Sequence, residues 1–395
     1  MLKKFTSEPA TQVSDFAKEF DFETLRPHYD SEVRDVMTRI TADPLYFQLM
    51  SYLWQGITLK EAVKKAETVT SLWDFQTNYM SHAIWTIVKG TSAGLTWSGI
   101  EHLDPDKAYL YIANHRDILL DSAILQIILE AENFATSEIT FGSNLMEQGF
   151  ITDFGRMNRM FTVKREGNAK EMYDISRQLS AYIRHTIFDK NTSVWIAQRN
   201  GRIKDGNDQT QTGLLKMLNM SGDKDFVKSF SQLNIVPLTI SFEYEPCDAL
   251  KVQELYLSSL HTKYVKAPGE DINSIVTGIT QPKGRIHLAF GKPIQQELHD
   301  IEKAGSNENE KIKMLTALID KRIHQDYKLN HVNHIAYDML HDTNVFADMY
   351  TTDEKTAFLN YISNHLKKLS GEEDALRQLF LKMYAAPVEN RLNLR

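Results

Sequence analysis

A histidine and two aspartates stand close together in the stretch YIANHRDILLDSAIL, residues 111–125. His115 follows an apolar run, and Asp117 and Asp121 come just after it, where a helical pattern begins. A carboxylate that bonds one nitrogen of an imidazole fixes its tautomer and stabilises its protonated form, which is the arrangement of a general base. The alternative is a strand-end histidine that only bonds the backbone. The stretch therefore predicts a base at His115, with two candidate partners.

The helical period separates the roles of the two aspartates. Asp121 shares a helix face with Ile124 and Ile128, so its carboxylate points toward the core and needs a partner there. Asp117 lies near the start of the helix, where an aspartate side chain commonly accepts hydrogen bonds from free backbone N–H groups. We therefore predict that Asp121 orients His115, and that Asp117 is a helix cap and the alternative carboxylate.

Two loops that follow predicted strands carry clustered basic residues. The run MFTVKR ends on Lys164 and Arg165. The run QRNGR places Arg199 and Arg202 around Gly201. A guanidinium binds a phosphate through two parallel hydrogen bonds, so a local cluster can hold an anion even in a protein of negative net charge. One such arginine alone is more often solvated, but the two loops together predict an anion site.

The elements that position these residues alternate along the middle of the chain. Short β-branched and aromatic runs predict strands at 108–114, 138–143, 160–165, 193–198, 235–244 and 285–294. Longer helical patterns lie between them, near 118–132, 168–188 and 208–220. Such an order predicts an α/β fold with a mostly parallel sheet flanked by helices, in which ligands bind beyond the carboxyl ends of the strands. His115, Arg165 and Arg199 should therefore meet at one edge of the sheet.

Helical patterns without strands lie on both sides of this region. We find no strand with clean alternation before residue 95, and the chain from about residue 300 is helical again. The sequence therefore predicts a helical N-terminal domain at 1–95, an α/β catalytic domain at 96–300 and a helical C-terminal region at 301–395.

Composition limits the classes of function. The 395 residues are 42% hydrophobic and 25% charged, as in a folded globular protein, and a net charge of −7 argues against general nucleic-acid binding. The single cysteine, Cys247, excludes an internal disulfide and fits a cytoplasmic compartment. We expect no signal peptide, and the longest apolar stretch, 118–129, is too short to span a bilayer. Contact with a membrane surface stays open.

Read in order, these motifs resemble those of the glycerolipid acyltransferase superfamily, which includes glycerol-3-phosphate and lysophosphatidate acyltransferases. NHRDILLD is similar to the family's first motif, although five residues instead of the usual four separate His115 from Asp121. MFTVKR, ending on Arg165, resembles the second motif. VWIAQRNGR resembles the third, with Asn200 where the family has glutamate, and IVPLTI with Pro237 resembles the fourth.

The resemblance covers roughly residues 95–295 and implies an O-acyltransferase of phospholipid biosynthesis. Its donor would be an acyl thioester (acyl-CoA or acyl carrier protein), and its acceptor glycerol-3-phosphate or a lysophospholipid such as 1-acylglycerol-3-phosphate. His115 and Asp121 would be catalytic, and nearby backbone N–H groups would stabilise the oxyanion. The substrate-binding residues would be Lys164, Arg165, Arg199, Asn200, Gly201 and Arg202. Neither a metal nor a bound organic cofactor is implied, and we expect peripheral attachment to the inner face of the cell membrane.

Two other functions fit the same residues. The acceptor could be a different lyso-lipid, such as a lyso-aminolipid with a carboxylate headgroup, because arginine binds carboxylates as well as phosphates. The chain could also be a catalytically silent lipid or acyl-carrier binding module, since Asn200 removes a carboxylate that the family uses at the acceptor site. The joint presence of the histidine, aspartate and arginine motifs favours the enzyme.

Overall fold

The N-terminal part of the chain is helical, as predicted. The computed structural model describes residues 5–54, 56–142, 149–163, 167–260, 264–267 and 269–394. The first helices are α1 (Asp15–Lys18), α2 (Val33–Ala42), α3 (Pro44–Leu53), α4 (Leu59–Ala66), α5 (Leu72–Phe75) and α6 (Ser81–Thr91). Local caps set two of the starts, because Asp43 accepts a hydrogen bond from the Leu45 N–H and Thr58 forms a capping box with Glu61.

The middle of the chain alternates strands with helices around one sheet. Its elements are β1 (Ser92–Ser98), β2 (Leu110–Ala113), α7 (Leu120–Ala131), β3 (Glu138–Gly142), α8 (Phe150–Met157), β4 (Met160–Val163), α9 (Ala169–Arg184), β5 (Val194–Ala197), α10 (Thr212–Asn219), α11 (Phe226–Ser231), β6 (Ile235–Phe242), α12 (Asp248–Leu260), α13 (Glu270–Thr280) and β7 (Gly284–Phe290). The strand order is β1-β7-β6-β2-β5-β3-β4, and all neighbours are parallel except β6 and β7. The predicted α/β fold with a mostly parallel sheet is confirmed.

β1 is a strand that the sequence pattern did not predict. It lies at the sheet edge, its one partner among the described strands is β7, and its residues are half-buried or exposed throughout. An edge strand of this kind needs no continuous apolar run, and its sequence, SAGLTWS, begins with small residues of low strand propensity. The six strands that were predicted all contain buried residues, which is why their apolar runs identified them.

Helices follow the sheet to the end of the described chain. They are α14 (Gln296–Ala304), α15 (Glu308–Asp326), α16 (His331–His341), α17 (Thr352–Leu366) and α18 (Glu373–Leu392). Helices α14 and α15 still pack on the sheet, whereas α16 to α18 form a separate cluster with Val252 of α12. The predicted boundaries at 95/96 and 300/301 fall inside β1 and α14, and the division into domains stays a prediction. None of the helices in the described ranges combines the length and apolar character needed to span a bilayer.

The central strand β2 carries the site. All four of its residues are buried, and they alternate between a core on the α7 side and a core on the α9 side. β2 pairs in parallel with β5, so the carboxyl ends of these two strands lie at the same edge of the sheet. The loops that follow them, which begin at Asn114 and Gln198, therefore start side by side.

Candidate active site

His115 lies in an irregular loop between β2 and α7, and Asp121 holds its ring. The distance from His115 Nδ1 to Asp121 Oδ2 is 2.9 Å, and the histidine side chain is 14% exposed whereas the aspartate is 2% exposed. The His115 ring also lies in a T-shaped arrangement with the Trp195 ring of β5, with 5.7 Å between ring centroids. Because Nδ1 is engaged by the carboxylate, Nε2 is the nitrogen left to take a proton.

The Asp121 carboxylate organises the whole loop. Besides His115, its Oδ2 atom accepts the backbone N–H of Arg116 at 2.6 Å and that of Asp117 at 2.9 Å. Burial raises the pKa of Asp121, and the bond to His115 opposes that rise. The loop absorbs the extra residue between His115 and Asp121, because α7 begins only at Leu120 and the preceding residues are irregular. The five-residue spacing thus still brings histidine and aspartate together.

Asp117 has the other role that the helical period predicts for it. Its Oδ1 atom accepts the N–H of Leu119 at 2.9 Å and that of Leu120 at 2.8 Å, which closes the turn into α7. The structure therefore places Asp121, and not Asp117, against His115. The catalytic roles of the pair stay predictions.

Four backbone N–H groups between His115 and α7 are already occupied. Those of Arg116 and Asp117 donate to Asp121, and those of Leu119 and Leu120 donate to Asp117. A group that already donates to a carboxylate would have to break that bond before it could bind a substrate oxygen. These four groups are therefore not free to stabilise an oxyanion, and the expectation stays a prediction for the other backbone N–H groups near His115.

The arginine turn after β5 lies against the His115 loop. The N–H of Ile203 donates to the carbonyl of His115 at 2.7 Å, which ties the two loops together. Gly201 has a φ of +76°, a left-handed value that favours glycine at this turn. Arg199 Nε and Arg202 Nη1 are buried without a hydrogen-bond partner among the described residues. Both guanidinium groups therefore retain unused capacity for an anion.

His115 and the arginine turn line one pocket of about 320 Å³. Its polar lining includes His115, Arg199, Asn200 and Arg202. Its apolar lining comes from several elements: Phe141, Val163, Met172, Ile175, Leu179, Trp195, Leu214 and Met217. A base, two cations and an apolar wall in one cleft suit a molecule with a charged head and a hydrocarbon chain.

A comparison with protein-family models identifies the domain that carries this site. Residues 94–241, which contain His115, Asp121 and the arginine turn, match the protein-family model described as Acyltransferase. The chain therefore contains an acyltransferase domain. This match confirms the resemblance to the glycerolipid acyltransferase superfamily that the motifs indicated.

Solved structures similar to the acyltransferase include that of the 1-acyl-sn-glycerophosphate (LPA) acyltransferase PlsC from Thermotoga maritima. The sequence identity is 13% and the TM-score 0.39, and the likeness covers 75% of this chain and 95% of that one. No curated protein matches the chain significantly.

The remaining predicted site residues of the acyltransferase divide into two groups. Asn200 is exposed at the pocket, and its backbone N–H donates to Gln211 Oε1 at 2.9 Å. Lys164 and Arg165 lie outside the described residues, so their part in an anion site stays a prediction. Within the described ranges, no three His, Cys, Asp or Glu side chains are grouped so as to hold a metal ion.

Sequence reasoning missed a buried ionic cluster directly behind the His115 loop of the acyltransferase. Arg116 is 1% exposed, and its guanidinium contacts the carboxylates of Asp208 and Glu245. The signal was available for Arg116, because a charge between an apolar strand and an apolar helix needs a buried partner. Its partners lie about 90 to 130 residues further along the chain, where no local pattern identifies them.

Proposed function

We propose that this acyltransferase moves a fatty acyl group from an acyl thioester, acyl-CoA or acyl carrier protein, to a hydroxyl of glycerol-3-phosphate or of a lysophospholipid such as 1-acylglycerol-3-phosphate. The reaction would serve phospholipid biosynthesis. One observation carries the proposal. The His115–Asp121 pair shares a pocket with two guanidinium groups, each with a nitrogen atom that has no hydrogen-bond partner among the described residues, and most of the other lining side chains are apolar.

The residues of the pocket can perform the whole transfer. His115 Nε2 takes the proton of the acceptor hydroxyl while the hydroxyl oxygen attacks the thioester carbonyl carbon. Asp121 stabilises the imidazolium that forms. When the tetrahedral intermediate collapses, the carbon–sulfur bond breaks, the ester remains and the thiol leaves with the proton. A thiolate leaves readily, so the mechanism needs no covalent enzyme intermediate, metal or organic cofactor.

The two ends of the substrate suit different parts of the lining. Arg199 and Arg202, with Lys164 and Arg165 from beyond the described residues, would hold the acceptor phosphate through charge-assisted hydrogen bonds. The apolar lining from β3, α9, β5 and α10 would take the acyl chain, since burying hydrocarbon there removes it from water. Backbone groups of Asn200 and Gly201 would shape the turn that carries the arginines.

Thiol release from purified protein tests the proposal. Palmitoyl-CoA and a palmitoylated acyl carrier protein would each be offered with glycerol-3-phosphate, 1-acylglycerol-3-phosphate or a lyso-aminolipid. We expect release that depends on a phosphate-bearing acceptor. Release with the aminolipid alone would establish the other acceptor class. If none of the acceptors in the panel gives thiol release, the chain is better described as a catalytically silent binding module.

Replacement of Asn200 with glutamate tests whether the acceptor is the phosphate-bearing one. The change restores the carboxylate of the family motif at an exposed position of the pocket, where it can orient the neighbouring guanidinium groups. We expect Asn200→Glu to keep or raise the steady-state rate with glycerol-3-phosphate. Asn200→Gln is the control, since it has the same length without the charge. A large loss in the glutamate variant alone would indicate a site rebuilt for a different acceptor.

Peripheral attachment to the cytoplasmic face of the membrane is part of the proposal. The outward side of α13 is uncharged, with Ile272 62% and Val276 53% exposed, and nearby Lys266 and Asp271 line the pocket. We expect weak and reversible flotation with phosphatidylglycerol vesicles, measured at low and high salt. Extraction from vesicles only by detergent would contradict a peripheral attachment.

A further inference from the structure

Four buried charged side chains form a closed cluster behind the His115 loop. Arg116 and Lys251 are each 1% exposed, Asp208 is 1% exposed and Glu245 is 3% exposed. The Arg116 guanidinium contacts Asp208, and its Nη1 atom donates to Glu245 Oε2 at 3.2 Å. The Lys251 ammonium donates to Glu245 Oε1 at 2.6 Å. With two positive and two negative groups the cluster is neutral, which is the condition under which charges can be buried.

Lys251 does more than balance this charge. Its Nζ atom also donates to the backbone carbonyl oxygen of Arg116 at 2.6 Å. Arg116 follows His115 directly, and its own N–H donates to Asp121, the carboxylate that bonds the His115 ring. The backbone of Arg116 is therefore held at both ends: its N–H is bonded by the aspartate and its carbonyl by the lysine.

The C-terminal helices in turn fix the helix that carries Lys251. Lys251 lies in α12, which begins at Asp248. The Tyr384 hydroxyl of α18 donates to Asp248 Oδ2 at 2.7 Å and accepts the N–H of Glu245 at 3.0 Å. Lys251, Glu245 and Tyr384 all lie beyond residue 241, where the match to the acyltransferase family model ends.

We infer that Lys251 is a positioning residue for His115. Its ammonium fixes the Arg116 carbonyl and so keeps the His115 imidazole at the position from which it reaches the acceptor hydroxyl. Without Lys251 the loop would keep the Asp121 carboxylate and the bond from the Ile203 N–H to the His115 carbonyl, but neither of these holds the Arg116 carbonyl. A displacement of about 1 Å at the reacting groups is enough to reduce turnover about 100-fold. This inference rests on the proposed role of His115 as the base.

Three variants separate positioning from charge balance. Lys251→Met removes the donor to Arg116 and leaves Glu245 with one cation fewer. Lys251→Met combined with Glu245→Gln also lacks the donor but restores neutrality, since Arg116 and Asp208 remain as one pair. Lys283→Met is the matched control, because Lys283 is also fully buried but donates to Thr91 Oγ1 and the Gln281 carbonyl, not to the His115 loop.

The readouts are the melting temperature, kcat and the KM values for thioester and acceptor. We expect Lys251→Met to melt earlier and to lose about 100-fold in kcat, with both KM values within about threefold of the wild type. The double variant should recover melting temperature but not kcat. Lys283→Met should lose stability and keep kcat within about threefold.

Each other outcome overturns the inference. Recovery of kcat together with stability in the double variant would show that Lys251 only balances charge, and an unchanged kcat in Lys251→Met would show no coupling to the base. If neither Lys251 variant folds while Lys283→Met does, Lys251 serves stability alone. A wild-type protein without thiol release would contradict the proposed function itself, so the two failures are distinguishable.

Discussion

Replacing His115 with alanine is expected to reduce acyl transfer by about 1,000-fold or more without unfolding the protein. General acid–base catalysis by a positioned side chain typically contributes roughly 10²–10⁴-fold to the rate, and the variant also loses the group that reprotonates the leaving thiolate. Little stability should be lost, because the ring lies at a pocket surface and Asp121 retains two backbone N–H donors. The measurement is thiol release under saturating thioester and acceptor.

The chain offers a matched control for this variant. His185 Nδ1 lies 2.7 Å from Asp189 Oδ2, so the same kind of His–Asp pair occurs at a second, similarly buried place that does not line the pocket. His185→Ala should keep the rate of acyl transfer within about threefold while lowering the melting temperature. If His115→Ala keeps most of its rate, or if both variants lose it equally, His115 is not the base.

Replacing Asp121 with asparagine is expected to reduce kcat by about 10²–10⁴-fold. An asparagine oxygen can still accept the N–H groups of Arg116 and Asp117, so the loop should keep its shape. The neutral amide cannot stabilise the His115 imidazolium that forms as the acceptor is deprotonated, and it no longer dictates which ring nitrogen carries the proton. The melting temperature should change little compared with the change in kcat.

Asp117→Asn is the matched control for Asp121→Asn, since both replace a buried carboxylate in the same loop with its isosteric amide. Among the described residues, the Asp117 side chain bonds the backbone N–H groups that lead into α7, so its variant should lose about 1 kcal/mol or less of unfolding free energy and keep most of its kcat. Thermal melts and steady-state rates of the two variants decide the assignment. A turnover defect in Asp117→Asn with stability intact, and none in Asp121→Asn, would reverse it.

Local periodicity was enough to predict most of the sheet and the central pair of the site. The apolar runs of β2, β5 and β6 identify buried strands because parallel strands covered on both faces need continuous apolar sequence. The period of α7 also turned Asp121 inward, and a buried carboxylate must find a partner within reach. His115 is its neighbour along the chain, so the pairing depended on short-range geometry that the sequence contains.

Tertiary structure alone decided the rest. Edge strand β1 is stabilised by its pairing with β7 and not by a pattern of its own, so nothing in its residues predicts it. Four of the backbone N–H groups near His115 donate to carboxylates within the loop instead of facing a substrate oxygen. This pairing depends on the detailed backbone geometry of the loop, which the sequence pattern does not specify. The partners of Arg116 are Asp208, from the loop before α10, and Glu245, from the turn before α12. Tyr384 of α18 bonds the backbone N–H of Glu245. Such contacts between distant segments follow from how the helices close over the sheet, because one buried charge specifies that a partner exists but not where along the chain it lies.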